Sequence, residues 1–346
     1  MQTEIIRVGD ARRDAPAIAR AAQILKVGGL VAFPTETVYG LGADALNQQA
    51  VAGIFAAKGR PQDNPLIVHV ASIPAAELLV RELPENARKL MNTFWPGPLS
   101  IILPKSNRIP AIVSGGLDSV ALRIPAHPVA LALLRQANIP VAAPSANRSG
   151  RPSCTSAAHC QEDLNGLVDA IVDGGSSTVG LESTVLAMTG AVPRILRPGA
   201  ISAEQIAAVI GVPVELDPAI EREMGEDFTP LSPGMKYRHY APKAEVTLLH
   251  GTLEQFVRYL SQTAVPDTWA MIFEEDAPYV PIPHVVYGSA SNAAGQGQRL
   301  FAALRELDAK QAKQVFVRTP PRDGNGVGYA VYNRLLRAAA FREIHL

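Results

Sequence analysis

The chain has 346 residues, 47% of them hydrophobic, with 32 basic and 32 acidic residues that cancel. That length suits two ordinary domains, the apolar fraction excludes global disorder, and the null net charge removes the basic excess of a nucleic-acid coat. MQTEIIRVGD has no apolar signal region and no run reaches membrane-span length, so a soluble, cytoplasmic protein with no membrane contact is expected. Cys154 and Cys160 are too few for a disulfide framework, and their spacing fits no common zinc motif.

In chain order, GGLVAF, PLIVHV, LSIIL, VALRIP, IPVAAPS and AIVDGG are short apolar runs bounded by Gly or Pro, the pattern of buried strands. Between them, residues 17–26, 48–58 and 84–94 carry helical spacing; in the second, Val51, Ile54 and Phe55 share a face and Asn47 suits the N-cap. Residues 1–212 therefore read as an α/β domain around a mixed sheet. ELDPAIEREMGED is acidic, SPGMKYRHYAP is basic and aromatic, and neither has sustained periodicity, so residues 213–242 read as a linker. Within 243–346, AEVTLLH, WAMIF, HVVYG and QVFVR alternate with helical segments at 253–262, 298–307 and 329–341, which predicts a small parallel-sheet domain.

Several stretches carry polar groups where strands end. PTETVYGLG, residues 34–42, crowds hydroxyls and a carboxylate behind the first of these apolar runs. In AKGRPQDNPLIVH, Lys58 and Arg60 sit where Pro61 ends a helix. They either complement the helix dipole or grip phosphate, Lys as a point charge and Arg as a planar fork. DSVALRIPAHP places Ser119 and Arg123 four apart on one face of an apolar strand. A cation there needs a partner, structural or a substrate carboxylate, because an unpaired buried charge is expensive. APSANRSGRPS runs from a strand into Ser145, Asn147, Ser149 and Ser153, either a ligand loop at a strand end or a plain polar turn. In VGLESTVLAM, Glu182, Ser183 and Thr184 interrupt apolar surroundings, and RILRPGA adds Arg194 and Arg197. His69 suits a core histidine or a ligand donor equally. There is no GxxxxGK[ST] loop, and GNGVG precedes the last helix, so it reads as a helix-start turn and not a dinucleotide fingerprint.

Taken in order, PTETVYGLG, KGRPxxNPL, WPGPLS, RIPxHP, PSAN and STV resemble the YrdC-type domain of L-threonylcarbamoyladenylate synthases. SPGMKYRHYAP resembles the linker of the long form of that family, and GxGxAxxNRLLRAA the end of its appended domain, so the likeness covers nearly the whole chain. The resemblance implies a YrdC-like twisted mixed sheet, a linker, and a small Rossmann-like parallel-sheet domain. It implies a nucleotidyltransferase that makes threonylcarbamoyl-AMP and pyrophosphate from L-threonine, bicarbonate or CO2, and ATP. The product would pass to tRNA threonylcarbamoyl-transfer proteins that modify adenosine beside the anticodon, and a weak RNA contact of the enzyme itself is compatible with this role.

Position by position, Thr35, Thr37, His69, Arg123, the Ala143 backbone and Ser183 resemble the L-threonine site, with Arg123 on the carboxylate. Lys58, Arg60, Asn64, Ser119, Ser145, Asn147, Ser153, Arg197, His239 and Tyr240 resemble the ATP site. Mg is expected on the ATP phosphates, with no protein ligand assigned, and the linker is expected as a lid that keeps water from the carbamate and the adenylate. Two other readings, an RNA-binding module and a carbamoyl-transfer maturation factor, would need a basic, aromatic-rich surface or zinc-binding CxxC pairs, and the sequence has neither.

Overall fold

A computed structural model describes residues 2–222, 230–232, 240–321 and 326–346. His239 and the rest of 233–239 lie outside the described residues. Among the described residues, eleven strands form one mixed sheet. Their spatial order is Glu4–Arg7, Ala170–Asp173, Val31–Phe33, Gly40–Asp44, Val141–Ala142, Ile67–His69, Ser119–Arg123, Leu99–Pro104, Thr184–Ala187, Arg194–Arg197 and Glu215–Leu216. All six apolar runs expected as strands in this half are strands. The helix Gln48–Lys58 has the expected bounds: Asn47 Oδ1 accepts from the N–H groups of Gln49 and Ala50, and Gly59 closes the helix in the left-handed region.

Other strands escaped the pattern. Gly40–Asp44 pairs antiparallel with Val31–Phe33, so PTETVYGLG is not only a loop but the turn and return strand of a hairpin. Glycine is a poor strand former, yet Gly42 is required here: a Cβ would come within 2.8 Å of both Phe33 and Val141. Glu215–Leu216, inside the expected linker, adds a parallel strand beside Arg194–Arg197, and the exposed Arg194–Glu215 pair lies along it at 2.9 Å.

Five parallel strands make the second sheet, in the order His284–Val286, Thr268–Ile272, Gln314–Arg318, Glu245–His250, Glu343–His345. This Rossmann-like arrangement puts helices over the sheet, because parallel strands need crossovers. The helix Ala293–Ala309 buries Leu300, Phe301, Leu304 and Leu307, the face expected from their spacing. Among the described residues no helix is long and apolar enough to cross a membrane.

The two sheets do not form separate cores. One apolar cluster runs from Leu41, Ile54 and Leu181 through Tyr240 to Phe301, Val246 and Tyr332. At Gly180, a Cβ would come within 2.4 Å of Gln298 Cα, so helix backbone of the second domain rests directly on the loop that leads to Glu182. Arg305 crosses the same interface, donating to Asp163 Oδ2 at 2.9 Å and to the Pro152 carbonyl at 2.7 Å. Asp163 in turn accepts from the Arg148 N–H at 3.0 Å, so the loop 143–153 is braced from the second domain.

Candidate active site

The parallel pair Ile67–His69 and Ser119–Arg123 ends with His69 and Arg123 in register, so their side chains emerge side by side. Beside them the Ala143 N–H bonds to the Ile67 carbonyl at 2.9 Å, and the loop 143–153 begins. Three strand ends thus open onto one cavity, about 610 Å³ of empty space counted out into open solvent. Its walls include Thr35, Thr37, His69, Arg123, Ala143 and Ser183, and also Arg60, Ser145, Asn147, Arg197 and Tyr240.

Arg123 is 3% exposed, so its charge must be compensated inside the protein. Its Nε donates to the Gly97 carbonyl at 3.0 Å and its Nη1 to Thr37 Oγ1 at 2.9 Å. Its Nη2 stands 2.6 Å from Glu36 Oε1, but at that angle the contact is an ion pair without a directed hydrogen bond. Glu36 is therefore the buried counter-ion, and the carboxylate inside PTETVYGLG has its explanation. Thr35 Oγ1 lies 2.7 Å from Thr37 Oγ1 and donates to the Val38 carbonyl at 2.6 Å, which fixes both hydroxyls. Burial, then the neighbouring Arg123 charge, lowers the His69 pKa to about 3, so the ring is neutral. Its Nδ1 has no hydrogen-bond partner among the described residues.

On the opposite wall Arg197 donates through Nε to the Ser183 carbonyl at 3.1 Å and through Nη2 to Ser183 Oγ at 3.2 Å. Ser183 Oγ also lies 2.8 Å from Ser100 Oγ. Ser145 Oγ donates to Asn147 Oδ1 at 2.5 Å, and Asn147 Nδ2 holds the carbonyls of Arg148 and Arg151, both at 2.9 Å.

Four expected residues stand behind the walls. Lys58 is buried, and its ammonium donates to the Ser145 carbonyl at 2.5 Å and closely to that of Asn147. Burial first, and Arg60 second, lower its pKa to about 7; two carbonyl acceptors favour the charged form. Asn64 is buried beside Arg60, whose Nη2 reaches the Pro65 carbonyl at 3.2 Å, and Asn64 Oδ1 has no partner among the described residues. Ser153 is fully buried and donates to Glu182 Oε1 at 2.5 Å. Ser119 pairs with Pro104 at the far end of the Arg123 strand, on the order of 13 Å along it.

Sequence reasoning left Glu36 and Glu182 out of the site, although Glu182 lines the cavity. The available signal was a single carboxylate in apolar company, which in a buried setting demands a cation. A third residue, Arg334, gave no such signal because its partners belong to the other domain.

Fold and cavity define a two-domain α/β enzyme with a cationic, hydroxyl-lined site at its strand ends. A family model described as "Telomere recombination" matches residues 23–199, and one described as "Threonylcarbamoyl-AMP synthase, C-terminal domain" matches 201–340. The threonylcarbamoyl-AMP synthase of Pyrococcus abyssi is 44% identical over 94% of both chains. That of Bacillus subtilis is 44% identical over 95% of this chain and 94% of its own. A crystal structure of P. abyssi Sua5 complexed with L-threonine superposes with a TM-score of 0.90 at 40% identity, covering 100% of each chain. The chain belongs to the threonylcarbamoyl-AMP synthase family, in its long two-domain form, and is a nucleotidyltransferase-type enzyme acting in tRNA modification.

Proposed function

We propose that the protein condenses L-threonine, bicarbonate or CO2, and ATP into threonylcarbamoyl-AMP and pyrophosphate within this one cavity. The carrying observation is the juxtaposition in one cavity of Arg123, with the fixed hydroxyls of Thr35 and Thr37, and a second group of Arg60, Ser145, Asn147 and Arg197. Threonine takes the first side, its carboxylate on Arg123 and its hydroxyl near the threonines, with Ala143 and Ser183 closing the pocket. ATP takes the second, its phosphates on Arg60 and the loop 143–153, and Tyr240 beside the nucleotide.

In the reaction, the threonine ammonium loses a proton and the amine nitrogen bonds to the carbon of CO2 with loss of a second proton, or to that of bicarbonate with loss of water. A carbamate oxygen then attacks the α-phosphorus while the bond to the bridging oxygen breaks, and pyrophosphate leaves. Neutral His69 donates no charge to this sequence, and the arginines stabilise the negative charge that develops. A preorganised donor of this kind contributes roughly 3 kcal/mol. Mg travels with ATP: the cavity's hydroxyls and amides suit a metal held by phosphates, while Glu36 and Glu182 are each paired with an arginine. Phosphoryl-type displacement asks mainly for such positioning. The product serves threonylcarbamoyl-transfer proteins that act on tRNA in the cytoplasm.

Pyrophosphate release by the full chain, supplied with MgATP and bicarbonate, tests this. Release depends on L-threonine, and serine supports it about tenfold to a few hundredfold less well, the discrimination one methyl group allows. Release that ignores threonine overturns the reading.

A further inference from the structure

The motif NRLLRAA belongs to the second domain, yet its three polar side chains all reach out of it. Asn333 Nδ2 donates to the Ile220 carbonyl at 2.8 Å and Arg337 Nη2 to the Ala219 carbonyl at 2.5 Å, contacts that hold the linker segment against the second domain. Arg334 differs. It is fully buried in the helix Gly326–Ala338, and its Nε donates to Glu182 Oε2 at 3.0 Å. Its Nη1 donates to the Pro198 carbonyl at 2.6 Å, and its Nη2 to the Glu182 carbonyl at 3.3 Å. The guanidinium carbon also lies 5.8 Å from the centre of the Tyr240 ring, which packs on Phe301 from its other neighbour at 5.2 Å.

Glu182 is thus held by a different donor on each oxygen, Ser153 on one and Arg334 on the other. Both Glu182 and Tyr240 line the cavity. We propose that Arg334 is a positioning residue of the active site, supplied by the second domain, which fixes Glu182, Ser153 and Tyr240 on the nucleotide side. The assignment of that side to nucleotide rests on the function proposed above. Once Arg334 loses its charge, Glu182 is a buried carboxylate whose cationic neighbour among the described residues is Arg197. It turns towards Arg197 and draws it from Ser183, which deforms the nucleotide wall. The threonine side keeps its Arg123 anchor, built on Glu36, Thr37 and Gly97, and is disturbed less, through Ser183.

The test compares full-length Arg334→Gln, Arg334→Lys and Tyr329→Phe with the parent chain. Tyr329 is the control: on the same helix, its hydroxyl bonds Glu221 of the linker segment at 2.8 Å, away from the cavity. Losing a charge-assisted hydrogen bond corresponds to roughly tenfold or more, so Arg334→Gln raises the ATP KM by about that factor and the threonine KM by a clearly smaller one. Arg334→Lys, which keeps the charge but not the fork, shifts the ATP KM the same way by less, and Tyr329→Phe leaves both constants in place. Adding Glu182→Gln to Arg334→Gln costs no further affinity, since the two act through each other. Calorimetric titration of ATP into each protein in the presence of L-threonine reads the same shift without turnover, so the inference is tested even if the proposed reaction is wrong. Equal rises in both KM values, unchanged ATP affinity in the Arg334 variants, or additive losses in the double variant overturn it.

Discussion

The wall around Arg123 is held from within its own domain, whereas the wall around Glu182 depends on an arginine 152 residues further along the chain. In the first, a strand end, a hairpin turn and the WPGPLS segment supply a counter-ion, a hydroxyl and a carbonyl to one guanidinium. In the second, the carboxylate is in the first domain and its cation in the other, so the wall exists only when the domains are docked. A buried ion pair is a poor source of net stability but a strong penalty when broken, which suits it to holding geometry. The comparison shows a site that is rigid where the amino acid is expected and assembled where the nucleotide is expected.

Three perturbations sharpen that contrast, beginning with the most damaging. Arg123→Ala strands Glu36 without its cation and removes the expected partner of the threonine carboxylate. Unfolding free energy falls by about 3–5 kcal/mol, and the threonine KM rises on the order of a hundredfold. Urea unfolding and threonine-dependent pyrophosphate release measure the two, and a variant that saturates with threonine like the parent refutes the assignment. Lys58→Met comes next. It leaves the Ser145 and Asn147 carbonyls without their buried donor, at about 1–3 kcal/mol of desolvation cost, and loosens the nucleotide side first. The rate falls on the order of tenfold while the threonine KM holds; a rise in threonine KM with an unaltered rate would place Lys58 on the other wall.

The smallest effect concerns acid. His69 has a folded pKa of about 3 against an ordinary value of 6.5. Between those values the unfolded chain binds a proton that the folded chain refuses, so stability is present above pH 6.5 and declines as the pH falls through the window. The His69 share of that loss approaches about 1.4 kcal/mol per pH unit, and above 6.5 it adds no slope. Urea unfolding near pH 7 and about pH 5.5 should show the parent losing roughly 1 kcal/mol more than His69→Leu. Parallel losses in the two proteins would mean the ring is protonated inside the fold.

Much of the architecture was legible because it follows local rules. Apolar runs between Gly and Pro became strands, and Asn47, Val51, Ile54 and Phe55 specified a helix, its start and its buried face. Six strands among the described residues were not expected. Glu4–Arg7, Thr184–Ala187, Arg194–Arg197 and Glu343–His345 are three or four residues that carry or adjoin charged or hydroxyl side chains, and two more have a weak local signal. Gly40–Asp44 is rich in glycine because Phe33 and Val141 leave no room for a side chain at Gly42, and Glu215–Leu216 is two exposed residues at a sheet edge. The candidate site was legible as a set of residue types at strand ends. Whether a given side chain faces the cavity or stands behind it was not, as Lys58 and Ser153 illustrate: both looked like ligand contacts and both hold other parts of the site.

The sequence alone determined where most strands and helices form and which segments carry cations and hydroxyls, because periodicity and capping act over a few residues. Tertiary structure alone decided the pairing of charges. Glu36 with Arg123 and Glu182 with Arg334 meet only after strands register and the second domain docks, and ion pairing depends on distance in space, on which separation along the chain places no constraint.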